Sequence, residues 1–257
     1  MSNFTVRLTP DIIHGDVSKV IQSNKTDLPF ASGDILFDWQ PFLVPTGTNK
    51  LVSISGYMMG EDGETQGAKD IHFVFAKNID GSRPSSLGEE NAPQTACFEL
   101  PLHYIGYTKV EGNASPTVGA AFGDFFSAGF QGGANGHSLP LVLEGETDSG
   151  TAFGFDTLHV AAFAGGAIDF STGVLKDGAV SVNTSTDMTV KTVDARHCFQ
   201  KGDTLYIHDS NVELGTVSSV PDATSILLEA NNGVAISDGD EIVNANPLKI
   251  VFGFERM

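Results

Sequence analysis

The stretch KDIHFVFAK, residues 69–77, alternates between two kinds of side chain along most of its length. Ile71, Phe73 and Phe75 fall on one side of an extended backbone, and His72 and Val74 fall on the other. Successive side chains of a β-strand point to opposite faces, so a period of two is expected where one face is buried. The stretch therefore predicts a β-strand that packs on an apolar core.

Similar patterns occur along most of the chain. Further candidate strands contain Val52, Ile54 and Met58, then the run Leu139–Glu144, and then Leu158, Val160 and Ala162. No segment keeps apolar residues at the i, i+3, i+4, i+7 spacing over three helical turns. Because crossover helices are missing from the pattern, neighbouring strands are expected to be antiparallel. We predict an all-β protein whose main part is an antiparallel β-sandwich of the jelly-roll type.

The distribution of phenylalanine divides the chain into two parts. Fifteen of the eighteen Phe residues lie at or before Phe170, and residues 171–246 contain only Phe199. The closing run LKIVFGFE, residues 248–255, again alternates and contains two phenylalanines. The last strand is therefore expected to return to the first core.

This return predicts a domain inserted near the end of another. The large β-sandwich domain is expected to comprise residues 1–170 plus 247–257, and a small β-barrel domain is expected at residues 171–246. Short strands in the small domain are predicted at Thr204–His208, Glu213–Val220, Ser225–Glu229 and Glu241–Val243. Turns rich in Asp, Asn and Gly separate these strands, as in a small meander or barrel.

Charge excludes some classes of partner. The chain has 32 acids and 14 bases, a formal net charge of −18. Such a charge repels phosphate backbones and anionic membranes, so neither nucleic acid nor a membrane is expected as a partner. No apolar run reaches the roughly 18 residues of a membrane helix, and the start MSNFTVRLTP does not resemble a signal peptide. The acidic surface fits either plain solvation or attraction to a basic partner.

The two cysteines and the glycine-rich segments bear on assembly. Cys97 and Cys198 lie on opposite sides of the composition change, which favours two buried thiols over a disulfide. Long loops are predicted at Gly60–Ala68, Asp80–Thr95 and Gly129–His137, where Gly, Asn, Asp and Pro dominate. Loops of this length often have a function, and contact with neighbouring subunits is one such function.

The well-specified catalytic motifs are absent from the sequence. It contains no Gly-x-Ser-x-Gly elbow, no Gly-x-x-x-x-Gly-Lys-Ser/Thr loop, no His-Glu-x-x-His and no Cys-x-x-Cys. The glycine-rich run at 129–136 is not followed by a helical pattern that would bind a phosphate. The sequence therefore predicts no enzyme, no catalytic residues and no cofactor.

Three histidines leave one enzymatic alternative open. His72, His103 and His159 lie in apolar, strand-like runs, and a jelly-roll metal site would need all three to converge. Asp70 and His72, two residues apart, would share a strand face. The spacing of these residues gives no support for a metal site, and buried or edge histidines explain them equally well.

Clusters of acids leave a binding alternative open. The clusters are Glu61, Asp62 and Glu64, then Glu144, Glu146 and Asp148, and then Asp238, Asp240 and Glu241. Carboxylates are the ligands that Ca²⁺ prefers, although Asp- and Gly-rich turns usually bind no ion. With His137 and Trp39 near possible loop tips, these acids suggest a carbohydrate- or Ca²⁺-binding module, such as a tail adhesin, as the alternative function.

Several short segments resemble β-modules of structural proteins from the virions of tailed phages. They are GDTLYI (202–207), GTVSSV (215–220), ATSILL (223–228), DGDEI (238–242), KIVFGFE (249–255) and, less closely, DWQPFLVPTGTNKLVS (38–53). The resemblance covers about half of the chain and consists of loose patterns. It implies a non-enzymatic capsid decoration or cement subunit, bound as a trimer to the major capsid protein on the virion surface after assembly in the host cytoplasm.

Overall fold

A computed structural model describes most of the chain. The described residues are 3–12, 29–59, 69–110, 119–120, 123–128, 140–146, 153–168, 174–181, 186–191, 193–208, 210 and 212–257. The strands are β1 (Asn3–Leu8), β2 (Ile35–Pro45), β3 (Thr48–Met59), β4 (Ile71–Lys77), β5 (Tyr104–Val110), β6 (Gly119–Ala120), β7 (Gly123–Ala128), β8 (Leu141–Glu144), β9 (Phe155–Ala164), β10 (Val174–Asp177), β11 (Asp187–Val190), β12 (Thr204–Ile207), β13 (Val212–Ser219), β14 (Ser225–Leu228), β15 (Glu241–Asn244) and β16 (Leu248–Arg256). The helices are α1 (Leu100–His103) and α2 (Ala195–Cys198). The prediction of an all-β protein is confirmed.

Two antiparallel sheets form the larger part of the fold. One sheet has the order β1-β16-β3-β7-β6, and β8 also pairs with β3; the other has the order β2-β9-β4-β5. Strands β7 and β8 pair with Ile54–Met59 and Thr48–Leu51, so they lie end to end along the same edge of β3. We count β7 and β8 as one interrupted strand, leave out the two-residue β6 and the strands β10 to β15, and number the remaining strands 1 to 8 along the chain. The two sheets then have the strand orders 1-8-3-6 and 2-7-4-5. This is the order of an eight-stranded jelly roll, as predicted.

The two sheets face each other across one apolar core. Phe252 of β16 lies near its centre, with its ring centroid 5.9 Å from Phe42, 5.8 Å from Phe73 and 5.7 Å from Phe75. The last two contacts are edge-on, a geometry that favours aromatic pairs beyond the apolar area they bury. The alternating residues of KDIHFVFAK behave as predicted, because Ile71, Phe73 and Phe75 all belong to this core.

The remaining six strands close into a barrel. Their order is β10-β11-β14-β13-β12-β15, and β15 pairs back with β10. All six strands lie between Val174 and Asn244, within the segment predicted as the small domain. Phe199 is the one phenylalanine in the barrel core, whose other members are mostly aliphatic. The closing strand β16 then lies between β1 and β3, so the chain does return to the first core.

Buried polar groups join the barrel to the sandwich. Asp203, fully buried at the start of β12, accepts hydrogen bonds from the Gln200 amide at 2.8 Å and the Asn244 side chain at 2.7 Å. Its other oxygen forms an ion pair with Lys249 of β16. The Ile12 amide also donates to the carbonyl of Ala245 at 2.9 Å. The barrel is thus fixed to the end of the sandwich from which the chain leaves β9.

The connection between β4 and β5 folds back over its own sheet. The amide of Asn91 donates to the carbonyl of Ile35 at 2.9 Å, and the amide of Leu87 donates to the Asp38 carboxylate at 3.1 Å. Leu87 and Cys97 form a small apolar cluster with Ile35 and Ala161 on the outer face. The predicted loop Asp80–Thr95 therefore covers this sheet. The predicted loops Gly60–Ala68 and Gly129–His137 lie outside the described residues.

Within the described part of the chain, no helix has the length and apolar character needed to cross a membrane. The two helices found there have four residues each.

Candidate functional site

The three candidate histidines do not converge. His159 pairs with Ala76 across the β4–β9 ladder, and His72 lies four residues before Ala76 on β4. At about 3.3 Å per residue, His72 and His159 are about 13 Å apart along the sheet. Among the described residues, no group of three or more His, Cys, Asp or Glu side chains is arranged to hold a metal ion. The jelly-roll metal site therefore has no geometric support.

Each of these histidines has a partner in the fold. His103, buried at the end of α1, has its Nδ1 atom 2.8 Å from the carbonyl oxygen of Lys77. His159 is also buried, and its Nε2 atom lies 2.7 Å from Asn78 Oδ1. The bond of His159 fixes the start of the β4–β5 connection on β9, and the bond of His103 joins the end of this connection to its start.

His72 lies apart from them and contacts the tyrosine of the next strand. Its Nδ1 atom is 2.5 Å from the Tyr107 hydroxyl. Asp70, which was expected to share a face with His72, forms an ion pair with Lys109 at 2.7 Å. These contacts join residues at and just before the start of β4 to β5, and they do not bring a set of catalytic side chains together.

The acids of the barrel are engaged in turns. Asp238 accepts a hydrogen bond from the Gly178 amide at 2.9 Å and forms an ion pair with Lys191. Asp240 accepts from the amide of Ser237, three residues before it in the same turn, at 2.7 Å. Because internal donors already occupy these carboxylates, the structure gives no specific support to Ca²⁺ binding there.

A buried lysine beside this cluster was not predicted. Lys176 of β10 is almost fully buried, and its ammonium donates to the carbonyls of Asp177 and Gly178 and to the Thr189 hydroxyl. Burial lowers the pKa of this ammonium, although the carboxylates of Asp177 and Asp238 oppose the shift. The segment VLKD (174–177) does not alternate between apolar and polar residues, so the sequence carried no signal for this burial; in the structure Val174 and Lys176 share the inward face of β10.

This lowered pKa has a consequence at alkaline pH. Between the pKa of Lys176 in the folded protein and its ordinary value of 10.5, the unfolded chain binds more protons, so this group makes stability rise with pH. We expect Lys176→Met to remove that rise. Urea unfolding of both proteins at pH values from about 8 to about 10 measures it, because the difference between the two proteins cancels other groups. Parallel pH profiles would contradict the expectation.

Two acids near the β8–β9 connection, Glu146 and Asp156, connect loops at the end of the sandwich opposite the barrel. Glu146 accepts a hydrogen bond from the Gly81 amide at 3.1 Å, and the buried Asp156 accepts from the Gly47 amide at 3.2 Å. Glu144 is exposed on the edge strand β8. The run Leu139–Glu144, predicted as a candidate strand, forms the edge strand β8 in its described part and exposes Val142.

Trp39 is not at a loop tip, contrary to expectation. It lies within β2, and its indole N–H donates to the carbonyl of Ser85 at 3.0 Å. The ring belongs to the cluster under the β4–β5 connection, so it is not displayed for stacking on a sugar. His137, the acids Glu61, Asp62 and Glu64, and Asp148 lie outside the described residues.

Cys97 and Cys198 are both reduced and buried, as expected. Cys97 belongs to the cluster under the β4–β5 connection and Cys198 to the barrel core. Burial raises the pKa of the Cys97 thiol, which disfavours the reactive thiolate. Both side chains therefore act as small apolar residues in separate cores.

Exposed apolar side chains are the least expected feature of the surface. Phe98 is 91% exposed, Phe153 is fully exposed, and Leu102 is also largely exposed. Large apolar side chains in this state commonly mark protein-binding surfaces when they cluster. The exposure of these side chains was not predicted from the sequence.

No protein-family model matches the chain, and no curated protein sequence shows significant similarity to it. A function is therefore inferred from the fold and from the surface.

Proposed function

We propose that the chain is a virion structural protein, a decoration or cement subunit that stabilises the head of a tailed phage through subunit contacts. It would assemble in the host cytoplasm, bind the major capsid protein as a trimer, and act without catalysis or cofactor. Several weak contacts made at once give a trimer high avidity for a repetitive shell.

The observation that carries the proposal is the jelly-roll strand order of the two sheets. Eight-stranded jelly rolls occur in viral capsid and lectin domains as well as in cupins. The fold therefore narrows the set of candidate functions but does not by itself assign one of them. The candidate histidines and the acids of the barrel are engaged within the fold, whereas large apolar side chains are exposed. This combination favours a protein that works through its surface over a metal-dependent cupin.

The segments with phage resemblance also fall on regular elements. The last four residues of GDTLYI form β12, residues 215–219 of GTVSSV lie in β13, and the last four residues of ATSILL form β14. These three strands are neighbours in the closed barrel. A barrel inserted before the last strand of a jelly roll adds a second rigid body to the subunit. Such a body extends the surface available for contacts between neighbours.

The alternative, a carbohydrate- or Ca²⁺-binding module, shares the jelly-roll fold. It has less support, because Trp39 packs under the β4–β5 connection and donates a hydrogen bond to it, and because Asp238 forms an ion pair with Lys191. A calcium-dependent rise in melting temperature, lost in Asp238→Ala, would favour the alternative.

We expect the purified protein to be trimeric and to sediment with shells assembled from the major capsid protein of the same genome. Mass photometry measures the first property, and co-sedimentation with and without shells measures the second. A strict monomer that stays in the supernatant would refute the proposal. Bovine serum albumin, a soluble acidic protein, controls for non-specific trapping.

A further inference from the structure

The connection between β4 and β5 is anchored at both of its ends. At its start, the Oδ1 atom of Asn78 lies 2.7 Å from His159 Nε2, and at its end His103 Nδ1 lies 2.8 Å from the Lys77 carbonyl oxygen. We call the 24 residues between these contacts, 79–102, the strap. Pairing of β4 with β5 lies outside the strap, so this pairing does not depend on where the strap lies.

The strap crosses the outer face of its sheet and reaches the outer edge of β2. The Ile35 amide donates to the Ala92 carbonyl at 2.9 Å, and the Asn91 amide donates to the Ile35 carbonyl, also at 2.9 Å. β2 is the edge strand of the order β2-β9-β4-β5, so the strap pairs with backbone groups on the side of β2 that faces away from the sheet. Native proteins often cover such edges, because an uncovered edge pairs readily with another chain.

Few side chains of the strap are buried. The structure describes the strap completely, and Pro84, Leu87 and Cys97 are its three buried residues. Leu87 and Cys97 pack on Ile35 and Ala161 of the sheet below. Each of the 24 ordered residues costs conformational entropy, and the buried apolar area that opposes this cost is small. The strap is therefore held less firmly than the strands that it covers.

Backbone strain also opposes the closed position of the strap. The non-glycine residues with positive φ in the described part of the chain are Asp80, Asn91 and Cys97, and all three lie in the strap. Asp and Asn adopt the left-handed region comparatively easily, but Cys97, with a φ of 61°, belongs to a residue type that does not. A residue in this conformation persists only where its surroundings hold it there. Opening of the strap would release Cys97 from this strain.

We infer that the strap opens as a unit while the two sheets stay folded, and that its closure keeps the Ile35 edge and the apolar outer face covered. Opening exposes Ile35, Ala161 and the Cys97 thiol to solvent, and it breaks the hydrogen bond from the Trp39 indole to the Ser85 carbonyl. The closed strap thus blocks an edge at which strands of another chain could pair. This inference goes beyond the proposed function and does not depend on it.

The Cys97 thiol reports the opening, because it is buried while the strap is closed. Pulse labelling of the native protein with N-ethylmaleimide, followed by peptide mass spectrometry, measures Cys97 and the barrel-core Cys198 in the same molecules. We expect the urea dependence of Cys97 labelling to have less than about a third of the slope for unfolding of the sandwich, since this slope scales with the surface exposed.

Two results of this labelling would refute the inference. Equal slopes for Cys97 labelling and for unfolding of the sandwich would show that the thiol is exposed only when the sheets come apart. A shallow slope at Cys198 as well as at Cys97 would show that the reagent reaches buried thiols without any opening of the strap.

Two variants separate opening of the strap from unfolding of the sandwich. Leu87→Ala removes the largest buried side chain of the strap, and we expect it to raise the rate of Cys97 labelling at least about tenfold. Phe252→Ala weakens the core that the open and closed forms share, so it should leave the rate unchanged. Equal increases in both variants, or no increase in Leu87→Ala, would contradict independent opening of the strap.

A dye tests whether opening uncovers the outer face. Protein labelled at Cys97 alone cannot close the strap over the added group, since the thiol is buried in the closed form. We expect this protein to bind 1-anilinonaphthalene-8-sulfonate more strongly than unlabelled protein and to keep its far-UV circular dichroism spectrum. Dye binding equal to that of unlabelled protein would show that the strap does not cover an apolar surface, and the inference would fail.

Discussion

Replacing Phe252 with alanine is expected to lower the free energy of unfolding of the sandwich by about 3–5 kcal/mol. Phe252 is fully buried between the sheets, where its ring contacts those of Phe42, Phe73 and Phe75. Alanine would remove these contacts and leave a cavity between the sheets, which the three rings of the facing sheet cannot fill unless the sheets move together. The loss is large compared with the stability of a typical domain.

The single tryptophan makes this loss measurable in the sandwich alone. Trp39 lies in β2, so its fluorescence during urea unfolding reports on the sandwich, whereas the barrel contains no tryptophan. Phe98→Ala is the control, because the same change at an exposed site should alter stability by less than about 0.5 kcal/mol. A loss below about 1 kcal/mol for Phe252→Ala would show that the sheets do not depend on this contact.

Asp203→Ala is expected to cost about 3–5 kcal/mol, because it breaks a buried ion pair from one side. The change would remove the carboxylate that pairs with the Lys249 ammonium, and it would leave the Asn244 amide with the Cys198 carbonyl as its remaining acceptor at the junction of barrel and sandwich. Burial raises the pKa of the Asp203 carboxyl although Lys249 opposes this shift, so desolvation outweighs the attraction. The pair therefore contributes less to stability than the loss of one partner suggests.

A double variant separates these two effects. Asp203→Leu combined with Lys249→Met removes both charges, and it should recover most of the stability lost in Asp203→Ala. Urea unfolding followed by far-UV circular dichroism measures all three proteins against the wild type. If the double variant is less stable than Asp203→Ala, the two charges stabilise the junction by more than their desolvation cost.

Strand positions were predictable where one face of the strand is buried and apolar and polar residues alternate regularly. The four short strands predicted between Thr204 and Val243 match β12, β13, β14 and β15 to within one residue at every end. The strands β10 and β11, which complete the barrel, were not predicted. In β10, the buried Lys176 interrupts the alternation of apolar and polar residues on which the prediction depends.

One error in the sandwich has a local cause. Val52 was predicted to share a face with Ile54, but Leu51 is the buried residue and Val52 is only partly buried. The pairing of β16 with β3 shifts between Gly253 and Phe254, where a bulge adds one residue to β3. A bulge reverses the alternation beyond it, and nothing in the local sequence marks its position.

The sequence by itself determined the all-β class, the inserted barrel and the return of the last strand, because these depend on alternation and on the placement of phenylalanine along the chain. Only the tertiary structure decided that His72 and His159 lie apart, that Asp203 meets Lys249, and that Phe153 is exposed. Each of these depends on the register and order of strands that are distant in sequence. Local patterns specify which face of a strand is buried, but they do not specify which strands become neighbours.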